Sequence, residues 1–194
     1  MDTEGKIPVV YEEKKDPMRE LFPGAPVLRG KMLCLRPLEL SDTADLLRMT
    51  RQERVYRYLP TYLFEKQFGE NMEKVISGLY REGLEDSLIL GVFRDGRFCG
   101  LAEVYGYRAP IHKASVGYRL LEEAWGQGIA TEALGLLVAE LLENRGIEII
   151  TASTMLENRA SARVLQKSGF TLVNHAVNED WGYPQPTPAD KWIR

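Results

Sequence analysis

Metal-binding chemistry is the first thing missing. Only two cysteines occur, Cys34 and Cys99, and neither sits in a Cys-x-x-Cys or Cys/His cluster, so no zinc site is expected. Two lone cysteines in apolar, strand-like runs read as buried, reduced side chains. There is no long basic run, and the formal net charge is -3, which argues against sequence-independent nucleic-acid binding. No apolar run reaches membrane-spanning length. The opening stretch MDTEGKIPVV lacks the basic region and apolar run of a signal peptide. The expectation is a cytoplasmic protein, with neither nucleic acid nor a membrane as partner, working as a monomer or homodimer.

What is present is globular in composition. The chain has 194 residues, 44% hydrophobic and 27% charged, enough for one domain with a real core. Residues 1–29 mix charge with Pro and Gly and read as an N-terminal extension. Residues 30–194 read as a single domain with no internal repeat and no linker.

The periodicity orders the elements. KMLCLRPL (31–38) alternates and stops at Pro37, as a strand does. SDTADLLRMT (41–50) opens on Ser41 and Asp42, good helix caps. An aromatic stretch (55–68) follows, with Tyr56, Tyr58, Tyr62 and Phe64. Residues 70–81 carry Met72, Val75, Ile76 and Leu79 on one helical face. The period then changes to two strands around Asp95-Gly96, a hairpin signal, and a further strand at 113–121. A helix over 128–144, a β-branched strand at 147–154, a helix over 158–170 capped by Asn158, and one or two closing strands complete the chain. This order is α/β (α+β in some schemes), with a mixed sheet and a parallel crossover spanning 113–154.

The stretch AWGQGIATEA (124–133) carries the chemistry. Two glycines one residue apart precede an apolar helix. Glycine is a poor helix former, so its use there serves backbone geometry. Free amides at a helix start, with the helix dipole behind them, favour an anion; the physical reading is a phosphate or pyrophosphate cradle at 126–131. A P-loop would need a lysine that is absent, and a dinucleotide fingerprint would need Gly or Ala where Thr131 stands.

The loop resembles the acetyl-CoA pyrophosphate loop of the GNAT acetyltransferase superfamily. It is most similar to the branch containing the Rim-type ribosomal-protein N-terminal acetyltransferases, where W-G-[K/R/Q]-G-x-A-T-E-A is common and this chain reads WGQGIATEA (125–133). NRASARVLQKSGF (158–170) matches the branch's N-x-x-S-x-x-x-x-x-K-x-G-F, and MLCLRPLELSDTADL resembles its opening strand and helix. The resemblance implies a mixed, mostly antiparallel sheet with helices on both faces. In it a splayed parallel strand pair, 114–121 and 147–154, holds CoA. It also implies acetyl-CoA as cosubstrate, bound by the backbone of Gly126, Gln127, Gly128, Ile129, Ala130 and Thr131. Tyr118, Arg119 and Leu120 would pair with the pantetheine arm, and Asn158, Ser161 and Arg163 would face the cofactor. An amide near Val116–Tyr118 would act as oxyanion donor. Trp125 is expected in the core, packing the loop down.

Two departures from the family pattern bear on catalysis. Ser115 stands where many relatives carry Glu in A-E-[IL]-G-Y, and Leu165 stands where many carry a thiolate-protonating Tyr. Glu103, in GLAEVYGY, is then the candidate base, against a water chain ending on backbone carbonyls. Ser161 is the candidate proton donor or sulfur hydrogen bond. The expected function is an acetyl-CoA-dependent N-acetyltransferase acting on a protein or peptide N-terminal α-amino group. The rivals are a small-amine acetyltransferase, for which the acidic residues Glu65, Glu70, Glu73, Glu82, Glu85 and Asp86 would speak, and a non-catalytic acyl-CoA-binding module.

Overall fold

Local sequence signals become elements where the chain can satisfy them cheaply. A computed structural model of the protein describes residues 20–59, 71–81, 84 and 86–194. Eight strands form one sheet: β1 (Leu28–Arg29), β2 (Leu33–Arg36), β3 (Leu88–Arg94), β4 (Arg97–Arg108), β5 (Lys113–Leu120), β6 (Ile149–Met155), β7 (Thr171–Glu179) and β8 (Thr187–Ile193). The helices are α1 (Thr43–Thr50), α2 (Met72–Arg81), α3 (Ile129–Ala139) and α4 (Arg159–Lys167). The spatial order is β1-β2-β3-β4-β5-β6-β8-β7, with the closing strand β8 inserted between β6 and β7. Every pairing is antiparallel except β5 with β6.

Asp95 and Gly96 join β3 to β4 with φ of 50° and 75°, the left-handed pair that suits the twist of a two-residue hairpin. Asn158 caps α4 by accepting the amide of Ser161 at 3.2 Å, and Gly169, at φ 80°, ends the same helical segment. Two expectations differ. The helix read over 128–144 is α-helical only to Ala139 and finishes as a π-helical turn, Glu140–Asn144, with the Glu140 carboxylate, only 8% exposed, held by Asn144 and Arg145. Asp42 does not cap α1 with its side chain. It lies buried, in a two-pronged bond with Arg36 at 2.9 Å on each oxygen, and accepts the amide of Glu39.

The core lies on both sides of β3, β4 and β5, with Leu35, Leu90, Val92, Leu101, Ala102 and Ala114 fully enclosed. It reaches back into residues read as an extension: Leu21 and Phe22 are buried, and β1 pairs with β2. Apolar burial outweighs the Pro and Gly content that made this stretch look like a tail. α3 and α4 pack together over the face carrying Val116 and Tyr118. Gly91, on the opposite face by register, aims at Leu38, whose amide donates to the hydroxyl of Tyr80 on α2. Helices therefore cover both faces. Among the described residues no helix is long and apolar enough to cross a membrane.

Candidate active site

The ladder between β5 and β6 spans only three registers, Lys113 with Ile149, Ala114 with Ile150 and Ser115 with Thr151. Beyond it, among the described residues, β5 pairs with β4 and β6 with β8, so the two strands part. The gap between the facing edges leaves room for an amide-bearing chain to add as a strand does. The hydroxyls of Ser115 and Thr151, 2.8 Å apart, close the last rung. Ser115, standing where a carboxylate was expected, thus pins the apex of the split.

At the outer end of β5 the chain turns through Glu122–Ala124 into the glycine loop and α3. Gly126 and Gly128 have φ of 73° and 80°, and a Cβ at either would meet nothing. Backbone conformation, not crowding, demands glycine at both places. Gly128 occupies the cap position of α3 without any side-chain cap, so the amides of the first helical turn are left for a ligand. Gln127 braces the loop from behind: its amide donates to the Glu123 carbonyl and accepts from Arg94. Ile129 is buried, whereas Ala130 and Thr131 are half-buried.

Trp125 corrects its expectation. It is 40% exposed, not core; its indole donates to the Leu120 carbonyl at 2.9 Å and lies 5.2 Å beneath the Arg54 guanidinium. A hydrogen bond and a cation stack hold the loop where burial was expected to. Glu132, the acid of ATEA, points away to accept the amides of Met32 and Leu33, tying α3 to the β1–β2 turn.

A cavity of about 390 Å³ opens at the split. Its walls come from both faces of the sheet. Tyr118, Leu134, Asn158, Ser161 and Leu165 line it on the α3–α4 side, and Glu103, Tyr105, Glu179, Asp180 and Trp181 contribute from other elements. Successive strand residues point to opposite faces, so Gly117 and Tyr118 look to different ends. Gly117 faces Glu103 across the β4–β5 ladder, and a Cβ there would lie 2.6 Å from the Glu103 Oε1. The absent side chain makes the space that the carboxylate fills. Arg119, buried to 3% exposure, donates to Glu103 Oε2 at 2.9 Å. Glu103 is therefore both cavity-lining and ion-paired.

On the other side the Tyr118 hydroxyl meets Ser161 Oγ at 3.0 Å. Burial pushes the Tyr118 phenol up to about 12, so it stays protonated at working pH. The Tyr105 phenol is also raised, first by burial and then by the charges of Glu103 and Glu179, although the residue as a whole is 42% exposed at the cavity rim. Tyr58 and Leu59 line the cavity, while Tyr62 and Phe64 lie outside the described residues, as do Glu65, Glu70, Glu82 and Glu85. Arg163 is exposed on α4. His112, at φ 46°, sits on the surface against the Gly146 carbonyl. A larger, more open depression of about 690 Å³ lies between the β3–β4 hairpin, α1 and the loop. It contains no residue of the strand split, and Arg48 and Arg94 there are already bound to Glu123 and Gln127. Gln127 and Ile129 of the glycine loop border that depression, whereas the hydroxyls and carboxylates at the strand split line the smaller cavity.

A sheet that parts beside a helix start opened by two glycines, with a cavity that holds hydroxyls on one side and a held carboxylate on the other, is the arrangement the resemblance implies for an acyltransferase. Residues 32–171 match the family described as the acetyltransferase (GNAT) domain, and the chain belongs to that family. It is similar to the Bacillus subtilis protein named "Probable N-acetyltransferase YjcK", at 30% identity over 74% of this chain and 83% of that protein. Its fold is similar to Mycobacterium smegmatis RimJ in complex with CoA-disulfide, with a TM-score of 0.74, 22% identity, and 90% and 88% of the two chains covered. A spermidine N-acetyltransferase from Vibrio cholerae, in complex with CoA and spermine, matches with a TM-score of 0.69, 17% identity, and 85% and 96% covered.

Proposed function

We propose that the protein transfers the acetyl group of acetyl-CoA directly to an amine, and that the acceptor is the α-amino group of a protein or peptide N-terminus. The observation that carries this reading is the split between β5 and β6, opening beyond Ser115 and Thr151 with the glycine loop at its mouth and Glu103 beneath it. The amides from Gly126 to Thr131 receive the pyrophosphate, with Arg163 reaching toward the phosphates. The side of β5 that faces away from β4, along Tyr118, Arg119 and Leu120, binds the pantetheine arm, and Asn158 borders its inner end. An amide near Val116–Tyr118 polarises the thioester carbonyl.

Glu103 takes the proton of the attacking amine, directly or through one water. Its carboxylate can serve because Arg119 fixes one oxygen and Gly117 leaves room for the other. Ser161 hydrogen-bonds the departing sulfur. An α-amine, with a pKa near 8, reaches its nucleophilic form far more easily at neutral pH than a lysine near 10.4.

The carboxylates of the cavity favour a single positive charge over a polycation. Among the described residues of its lining, Glu103 is paired with Arg119 and Glu179 with Lys191, which leaves Asp180. A polyamine would need several uncompensated carboxylates in a row. The second reading, a small-amine acetyltransferase, draws support from the fold shared with the spermidine enzyme.

The test is thiol release from acetyl-CoA with purified protein and a panel of acceptors: peptides of varied N-terminus, lysine peptides with blocked N-termini, polyamines and aminoglycosides. Release with free N-termini is the expected result. Release with polyamines alone would move the assignment to the second reading, and binding of acetyl-CoA without release to any amine would leave a binding module.

A further inference from the structure

The hydroxyls of Tyr118 and Ser161 form a pair that no motif announces, because β5 supplies one and α4 the other. From this juxtaposition we infer that Tyr118 is a positioning residue for acyl transfer: its phenol donates to Ser161 Oγ and thereby turns the hydroxyl hydrogen of Ser161 toward the departing sulfur. The inference rests on the reading of Ser161 given above.

The direction of the bond follows from chemistry. A phenol is a stronger acid than an alcohol, hence the better donor, and the alcohol oxygen is the better acceptor. The geometry of Ser161 leaves it little else to do. Its backbone amide is spent on the Asn158 side chain, so its hydroxyl is the group free to serve the cavity. With the Tyr118 hydrogen filling one lone pair of Oγ, the single hydrogen of Ser161 is directed elsewhere, and both side chains line the cavity at the strand split. Because burial keeps the phenol protonated, it remains a donor throughout the neutral range.

In the step served, the amine nitrogen bonds to the acetyl carbon and its proton leaves to Glu103. The carbon–sulfur bond then breaks with its electron pair going to sulfur. The thiolate is held by the Ser161 hydrogen and takes its proton from solvent on release. Tyr118 touches neither acetyl nor sulfur in this scheme. Leu165 stands seven residues after Asn158, where many relatives carry Tyr, and the pair of Tyr118 on β5 and Ser161 on α4 supplies the hydroxyl function that Leu165 lacks.

The test is a double-mutant cycle of Tyr118→Phe and Ser161→Ala, read two ways. In steady-state transfer, each single variant is expected to lower kcat about tenfold, with the KM for acetyl-CoA within about twofold of the starting protein. The double variant is expected to be no worse than Ser161→Ala alone, because Tyr118 acts only through Ser161. The second readout needs no acceptor: calorimetric binding of CoA against desulfo-CoA. The unaltered protein is expected to prefer CoA by about 3- to 10-fold, and both single variants to lose that preference.

A general packing loss from Tyr118→Phe would persist in the Ser161→Ala background, so losses that multiply in the double variant overturn the positioning role. Unchanged kcat and CoA preference in Tyr118→Phe, with Ser161→Ala impaired, overturn the inference and leave the reading of Ser161 standing. Unchanged behaviour of Ser161→Ala overturns both.

Discussion

The two sides of the strand split are built from different materials. The proposed cosubstrate side is backbone: the edge of β5 beyond its short ladder with β6, and the amides at the start of α3, shaped by two glycines held at positive φ. The proposed acceptor side is side chains: Glu103 clamped by Arg119, with Tyr105, Glu179, Asp180 and Trp181 lining the same cavity. A backbone site recognises what every acyl-CoA has, amides and phosphates, and asks only that certain positions carry no Cβ. A side-chain site can be altered one residue at a time without disturbing the fold. On the proposed reading, the protein keeps a general donor site and a changeable acceptor site across one opening in the sheet.

This contrast can be broken from either end. The largest effect is expected at Glu103. Glu103→Gln keeps the shape and a hydrogen bond to Arg119 but removes the base, and kcat should fall about 100-fold. A water chain as the true base would show instead as a loss of no more than a few-fold.

Gly128→Val attacks the other end. A β-branched residue at φ 80° costs at least about 1–2 kcal/mol in backbone strain, and relief of that strain turns the amides away from the phosphates. Acetyl-CoA affinity should drop about 10- to 30-fold, and a titration that finds it unaltered would remove the cradle from the account.

Gly117→Ala sharpens the comparison because it changes the strand edge and the acid together. The new methyl would stand 2.6 Å from Glu103 Oε1, so the carboxylate must shift. A roughly tenfold loss of kcat with little change in acetyl-CoA affinity is expected, since the shift falls on the acceptor side. Equal losses in both quantities would mean that the two ends are not separable.

The smallest effect is one of stability. Tyr80 and Tyr118 are each pushed up to about 12 by burial, against about 10 in an unfolded chain. Below pH 10 both states keep these protons and nothing is lost. Above it the unfolded chain releases protons that the folded one retains, so stability falls as pH rises from about 10 toward 12, by about 1.4 kcal/mol per pH unit for each phenol. Urea midpoints at pH 9 and pH 11 measure the fall, and Tyr118→Phe should remove its share. A midpoint that does not move would mean that these phenols are less enclosed than their surroundings indicate.

What could be read in the sequence divides along the same line. The glycine loop, the Asp95-Gly96 hairpin and the Asn158 cap are local: each is set by a few neighbouring residues whose backbone preferences are strong. The split strand pair followed from family resemblance, not from periodicity. The acceptor end depends on contacts across the sheet. Arg119 reaches Glu103 over a ladder, Tyr118 reaches Ser161 from strand to helix, and Glu132 holds the amide of Met32 from the opposite end of the chain. No local pattern encodes such pairs. The insertion of β8 between β6 and β7 was equally hidden, since strand order depends on which edges remain free after folding. Trp125 misled because a large aromatic ring implies burial, whereas here one hydrogen bond and Arg54 hold it at the surface.

The most direct measurement of the central claim is acetyl-CoA binding, by calorimetry, to the unaltered protein, Gly128→Val and Glu103→Gln side by side. The glycine variant is expected to lose affinity by at least about tenfold while the glutamate variant binds as the unaltered protein does. Tight binding to Gly128→Val together with weakened binding to Glu103→Gln would contradict it, because the donor would then be held by the side chains assigned here to the acceptor.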